Sequence, residues 1–133
     1  MSSNSSGSPG SPKTVLFVDD QKDLREMAQM LLAKGGFFKV VGEAQDGGSA
    51  LAQMESLKPN VVLLDIELPD VYGVEVCVRI RRDFPGTAVV IMSAHNERVY
   101  RDEALKAGAI DFIPKFELTA RRLQQALQQR QEG

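Results

Sequence analysis

Four apolar runs in this chain end on polar residues that could work together: VLFV on Asp19 and Asp20, VVLL on Asp65, AVVIM on Ser93, and IDFIP on Lys115. If these runs are parallel strands of one sheet, their polar ends share one edge. Three carboxylates, a hydroxyl and an ammonium then converge in the crevice where open α/β sheets place their ligands. Adjacent carboxylates such as Asp19 and Asp20 oppose each other's ionisation, and a hard divalent cation held by oxygen ligands relieves that cost. A carboxylate at a strand end, as at Asp65, can be a metal ligand, a nucleophile, or both. A phosphoryl group on Asp65 would carry roughly two negative charges and three acceptor oxygens. The metal, Ser93 Oγ and the Lys115 ammonium supply one partner for each oxygen. Taken singly, each residue has an ordinary use: an acidic pair caps a helix, a strand-end hydroxyl bonds nearby backbone, and a lysine is solvated surface.

The elements that must position these residues read as βα units around a parallel sheet. Strands are expected at Thr14 to Val18, Phe38 to Glu43, Val61 to Leu64, Ala88 to Met92 and Ile110 to Ile113. All but the second are near-continuous apolar runs, as parallel strands covered on both faces should be. The second, FKVVGEA, is mixed and is expected at an edge. In the first helix Leu24, Met27, Ala28, Leu31 and Leu32 recur at helical spacing, and Gly35-Gly36 stops it. The second helix carries Ala50, Leu51, Met54 and Leu57 and ends before Pro59. The third carries Val76, Cys77 and Ile80 between Gly73 and Pro85. The fourth, around Arg98 to Ala107, has a weak apolar stripe and is expected to be the most exposed. The last runs from Leu118 to about Gln129, with Leu123, Ala126 and Leu127 inward. Cys77, Met27, Met30, Met54 and Met92 read as core residues.

Composition narrows what such a site could belong to. The chain has 133 residues, 43% hydrophobic and 26% charged, which suits one domain with a real core. A net charge of -2 lacks the basic footprint of a nucleic-acid reader, so no direct nucleic-acid contact by this domain is expected. One cysteine excludes an intramolecular disulfide and favours a reducing, cytoplasmic compartment. No apolar run approaches the ~18 to 20 residues of a membrane span, so no membrane association is expected. Residues 1–12, almost entirely Ser, Gly, Pro and Asn, read as a disordered leader or a cloning scar. The domain is expected over 13–129, with 130–133 a tail or the start of a linker.

With these residues in order, the sequence resembles the receiver domain of two-component response regulators over Thr14 to Gln129. The resemblance rests on Asp19 and Asp20, on Asp65 with Pro69 and Gly73, on Ser93-Ala94, and on Lys115 preceded by Lys106-Ala107-Gly108-Ala109. It implies a flavodoxin-like, doubly wound five-stranded parallel sheet in the order 2-1-3-4-5 with five helices. It also implies that Asp65 accepts a phosphoryl group from a phosphohistidine of a sensor histidine kinase. Mg²⁺, with Mn²⁺ as a substitute, would be held by Asp20, Asp65 and the Glu67 backbone carbonyl, with Asp19 acting mostly through water. Ser93 and Phe112 are the implied switch pair: Ser93 moves toward the phosphoryl group and Phe112 fills the space by rotating inward. The surface that changes is the fourth helix, fifth strand and fifth helix, where relatives self-dimerise or dock a target, and a C-terminal output domain, for transcription in some relatives, would lie outside this chain. Glu67 and His95, each two residues beyond a site residue, are candidates for setting the phosphoryl lifetime. Intrinsic hydrolysis would be limited to slow autodephosphorylation.

This sequence departs from the common family pattern at four places. Ser93 replaces a frequent threonine, Phe112 a frequent tyrosine and Tyr72 a frequent aspartate, and Phe116 stands where a proline often follows the lysine. No cis peptide is expected after Lys115. Two other readings compete. A docking module independent of phosphorylation predicts loss of Asp65, the acidic pair or Lys115, and none is lost. An aspartate-nucleophile phosphohydrolase shares the Asp65-x-Glu67 spacing, but normally places its nucleophile on the first strand and encloses its substrate with a cap.

Overall fold

The computed structural model describes residues 11–95 and 98–132. Five strands, β1 (Lys13–Val18), β2 (Phe38–Ala44), β3 (Val61–Asp65), β4 (Ala88–Ser93) and β5 (Asp111–Pro114), form one parallel sheet in the order β2-β1-β3-β4-β5. The helices are α1 (Lys22–Ala33), α2 (Gly47–Leu57), α3 (Gly73–Asp83), α4 (Arg98–Lys106) and α5 (Ala120–Glu132). The mixed second strand is at an edge, as its composition predicts. β5 closes the other edge, and its four residues, Asp111 among them, are all buried.

Side-chain alternation along the strands builds two cores. Val15 and Phe17 of β1, with Val61 and Leu63 of β3, face Ala28 and Leu32 of α1 and Leu123 and Ala126 of α5. Leu16, Val18, Val62 and Leu64 face the other way, against Ala50 and Met54 of α2, Val76, Cys77 and Ile80 of α3 and Ala104 of α4. This period-two division on strands buried on both sides explains the lack of alternation in the sequence. Cys77 is a packed core thiol, and burial raises it to about 11, so it is no nucleophile.

Three expectations are corrected. Met27 and Met30 are 48% and 72% exposed and are not core, while Met54 and Met92 are fully buried. The buried row of α1 is Ala28 and Leu32, one turn apart, with Leu24 half-buried above it; Met27 and Met30 lie on the flanks of that row. Helix α5 begins at Ala120 instead of Leu118, after a single 3₁₀ turn at Lys115–Glu117. Thr119 starts it, its Oγ1 accepting the Arg122 N–H at 3.0 Å. Leu118 is buried but sits before the helix. Phe112 is 2% exposed, in the same apolar cluster as Ala104, Ala109 and the half-buried Tyr100.

Among the described residues no helix is long and apolar enough to cross a membrane. Among the described residues there are no cis peptide bonds, and the Lys115–Phe116 link is trans as expected.

Candidate functional site

Parallel strands set side by side bring their C-terminal ends to one edge, and there the polar residues meet. Asp19 follows β1 directly, and its N–H donates to the Ala44 carbonyl of β2 at 3.0 Å. Asp65 ends β3 and Ser93 ends β4, both buried. Lys115 follows β5 and reaches back across the edge. Its Nζ stands 2.8 Å from Asp19 Oδ2 and 3.0 Å from Asp65 Oδ2. The first contact is an ion pair at an angle that leaves Asp19 Oδ2 without a well-formed hydrogen bond, although that oxygen is sealed from solvent. Asp19 Oδ1 accepts the Gln21 N–H at 2.9 Å. That contact is a local turn bond ahead of α1, whose N-cap is Gln21 with no side-chain cap, so Asp19 does not cap the helix.

The loop after β3 is shaped around Asp65. The Glu67 N–H donates to Asp65 Oδ1 at 3.1 Å, and the Gly73 N–H donates to the Ile66 carbonyl at 2.8 Å. Glycine is required at 73 by close approach: a Cβ there would lie 2.3 Å from the Asp65 carbonyl oxygen and 2.8 Å from Ile66 Cα. Asp70, in the same loop, accepts the N–H groups of Gly47 and Gly48 at 2.8 and 2.9 Å, tying the loop to the start of α2. Those donors hold its carboxyl below the ordinary range.

Electrostatics at the edge are out of balance in one direction. Burial raises the Asp65 carboxyl to about 6; the Glu67 N–H and Lys115 pull it down, and Asp19 adds to the rise. Burial also works against the Lys115 charge, but its pairs with Asp19 and Asp65 outweigh that and lift its pKa above the usual value. Oxygens of Asp19, Asp20 and Asp65 all lie within 4.8 Å of one another. Hard anionic donors at this spacing, one of them a buried oxygen short of a hydrogen bond, fit a hard divalent cation such as Mg²⁺ or Mn²⁺. The exposed Asp20 leaves that cluster open to solvent.

The remaining sequence candidates fall around this centre. Ser93 Oγ accepts the His95 N–H at 2.9 Å. The exposed His95 therefore engages the site through its backbone, while its ring lies 6.4 Å from that of Tyr100. The Glu67 side chain is exposed.

Three features were not singled out from the sequence. Arg25 of α1 donates to the Asp19 carbonyl at 2.7 Å and pairs with Glu43 at 3.1 Å. Its signal was a basic residue on a helix one turn beyond an acidic pair. Asp111 at the start of β5 is buried, accepts the Phe112 N–H, and stands 2.9 Å from Arg122 Nη2 of α5 and 3.4 Å from Arg101 Nη1 of α4. An aspartate inside an apolar strand run was its signal. Tyr72 donates from its hydroxyl to Glu103 Oε1 of α4 at 2.5 Å. Nothing local marks that pair, because its partners are 31 residues apart.

Comparison with known proteins agrees with this geometry. The family pattern of the response regulator receiver domain matches residues 15–128. The chain is 37% identical over 103 residues to the chemotaxis protein CheY of Thermotoga maritima, covering 77% of this chain and 85% of that one. It is 33% identical over 101 residues to the transcriptional regulatory protein DegU of Brevibacillus brevis, covering 76% of this chain but only 43% of DegU. The chain spans between 28% and 49% of the length of seven other curated relatives that it matches. In structure it is similar to the signal receiver domain of NarL from Mycobacterium tuberculosis, with a TM-score of 0.81 and 32% identity over 92% of this chain and 98% of that one.

Proposed function

This chain belongs to the response regulator receiver domain family, and on that premise we propose that Asp65 is its phosphoacceptor. The single observation that carries the reading is a buried carboxylate at the end of β3 with an ammonium 3.0 Å away and two further carboxylates beside it. In the proposed transfer an Asp65 oxygen attacks the phosphorus of a phosphohistidine on a sensor histidine kinase. The N–P bond breaks as the O–P bond forms, and the product is an acyl phosphate and a free imidazole. Mg²⁺, when bound, neutralises part of the acidic cluster and polarises a phosphoryl oxygen. Asp20, Asp65 and the Glu67 carbonyl would hold it, with Asp19 acting mostly through water.

Lys115 is already within ion-pair reach of Asp65, so it can follow the new charge with little reorganisation. Ser93 Oγ accepts the His95 N–H, which leaves its own O–H to donate to a phosphoryl oxygen. Formation of that new bond is the proposed start of the switch, with Phe112 as the packing element beneath the face made by α4, β5 and α5. Moving such a population from 1:99 to 99:1 needs about 5.5 kcal/mol. New charge-assisted hydrogen bonds at about 1.5–3 kcal/mol each are of the right size. Glu67 and His95 border the entry and are proposed to tune attack by water.

In this reading the domain is a cytoplasmic signalling switch occupying 13–129, with 130–133 leading away from it. It is not a turnover enzyme, and the hydrolysis it performs is slow loss of its own phosphoryl group. Its partners are a histidine kinase and an output, in some relatives a transcriptional one, with a second copy meeting it through the α4, β5 and α5 face.

Intact-protein mass after incubation with acetyl phosphate tests the central claim. A Mg²⁺-dependent gain of one phosphoryl group that disappears in Asp65→Asn supports it. No gain in a folded wild type would leave a docking module that works without phosphorylation.

A further inference from the structure

Helix α4 is the least anchored of the helices around the site. Of its nine residues Ala104 alone is buried, and Val99 and Leu105 are 56% and 39% exposed. Tyr100 is half-buried against the apolar cluster that includes Phe112 and Ala104. On the β5 side Arg101 reaches Asp111 and the Phe112 carbonyl at 3.4 and 3.5 Å, long contacts from a side chain that is 48% exposed. On the opposite side stands the shortest polar contact α4 makes, the 2.5 Å bond to Glu103 from Tyr72.

Tyr72 is not free to move with α4. Its backbone bridges antiparallel to Glu67, the residue whose N–H holds Asp65 Oδ1. The next residue, Gly73, packs so tightly on the Asp65 carbonyl that no Cβ fits. The Tyr72 backbone is thus set relative to Asp65, and its ring, 37% exposed, spans from the phosphoacceptor loop to Glu103 of α4. This route from Asp65 to α4 passes through neither Ser93 nor Phe112.

We propose that the Tyr72–Glu103 bond is a strut that holds α4 in the arrangement belonging to the unmodified site, coupling α4 directly to the loop around Asp65. The inference rests on the phosphoacceptor reading for its consequence and on the geometry above for its existence. A contact made in one state and strained or lost in the other biases the equilibrium between them by its differential strength. Because α4 has so little buried area, one hydrogen bond is a large share of what restrains it. Removing the hydroxyl should therefore loosen α4 and ease the change that modification demands.

The test uses the full chain and two independent readouts on wild type, Tyr72→Phe, Glu103→Ala and the double variant. Phenylalanine keeps the ring, so the loop packing is preserved. Amide hydrogen exchange without any phosphodonor should rise about three- to tenfold in α4 for each single variant, with the strands unchanged. The double variant should rise no further than either single one, as expected for partners in one bond. Titration with Mg²⁺ and beryllofluoride, a phosphoryl mimic, should saturate at severalfold lower mimic concentration in Tyr72→Phe than in wild type. Wild-type exchange in α4 of Tyr72→Phe overturns the strut, and so do additive effects in the double variant. Faster exchange with an unchanged mimic titration overturns the coupling. If the wild type does not bind the mimic at all, the phosphoacceptor reading fails, and the exchange data alone then decide whether the strut exists.

Discussion

At the C-terminal edge of the sheet Asp19, Asp65 and Ser93 are closed to solvent, whereas in adjacent α4 the nine residues bury one alanine. The first region is held by backbone: strand ladders on both sides of β3, the Glu67 N–H on the Asp65 carboxylate, and a glycine pressed against the Asp65 carbonyl. The second is held by a few side chains, most of them partly exposed. Chemistry on a phosphoryl group needs donors and ligands fixed to fractions of an ångström. A read-out element needs the reverse, two arrangements close enough in free energy for one covalent bond to choose between them. The contrast in packing is therefore the physical form of a division of labour between site and reporter.

If that contrast is real, substitutions at the edge should change stability strongly, in either direction, and those on α4 only slightly. The largest effect is expected from Asp65 itself. Its carboxyl binds a proton more tightly in the folded chain, at about 6, than at the ordinary value of 3.8. The folded state then holds more protons than the unfolded one between these values, so stability falls as pH rises through that window and stays lower above it. Asp65→Asn lacks this cost. It should be more stable than wild type above pH 6 by on the order of 3 kcal/mol in metal-free buffer, with the gap closing below pH 3.8. Denaturant melts over pH with a chelator present measure it, and added Mg²⁺ should narrow the gap by stabilising the wild type. Equal stabilities at pH 7.5 and pH 3.5 would mean that the edge is not electrostatically strained.

Next in size is Gly73→Ala, whose new methyl meets backbone at 2.3 and 2.8 Å. Overpacking against atoms that cannot rotate away should cost about 1–3 kcal/mol and slow phosphorylation from acetyl phosphate, because the Asp65 loop must shift. A variant with wild-type midpoint and rate would show the loop to be more pliant than its contacts imply. On α4, Val99→Ser should stay within about 0.5 kcal/mol of wild type, since the side chain is 56% exposed. A larger loss there would break the comparison from the other side. The smallest effect is assigned to His95→Ala. Its N–H bond to Ser93 Oγ survives the change, so stability should not move. Only the dephosphorylation rate should shift, and an unchanged rate removes His95 from the site.

The parts of this molecule legible in one dimension share a physical feature: they depend on local pattern. Strand positions followed from apolar runs, and the edge place of β2 followed from its mixed composition. Cys77, Val76 and Ile80 were placed correctly by helical spacing. Asp19, Asp65, Ser93 and Lys115 could be nominated together because a parallel sheet puts every strand end at one edge. What misled was pattern without direction. Met27 and Met30 look like core on a helix rich in apolar residues, yet lie beside the buried row.

By itself the sequence determined the element order, the sheet's composition and the chemical types gathered at its edge, since each is written in residues close along the chain. Only the tertiary structure decided which oxygen of which carboxylate faces Lys115, that Arg25 and Glu43 brace the acidic pair, and that Asp111 joins α4 and α5 to β5. It alone set Tyr72 against Glu103. Those contacts link residues from different βα units, and their geometry depends on how helices settle on the sheet, a packing outcome that no local spacing encodes.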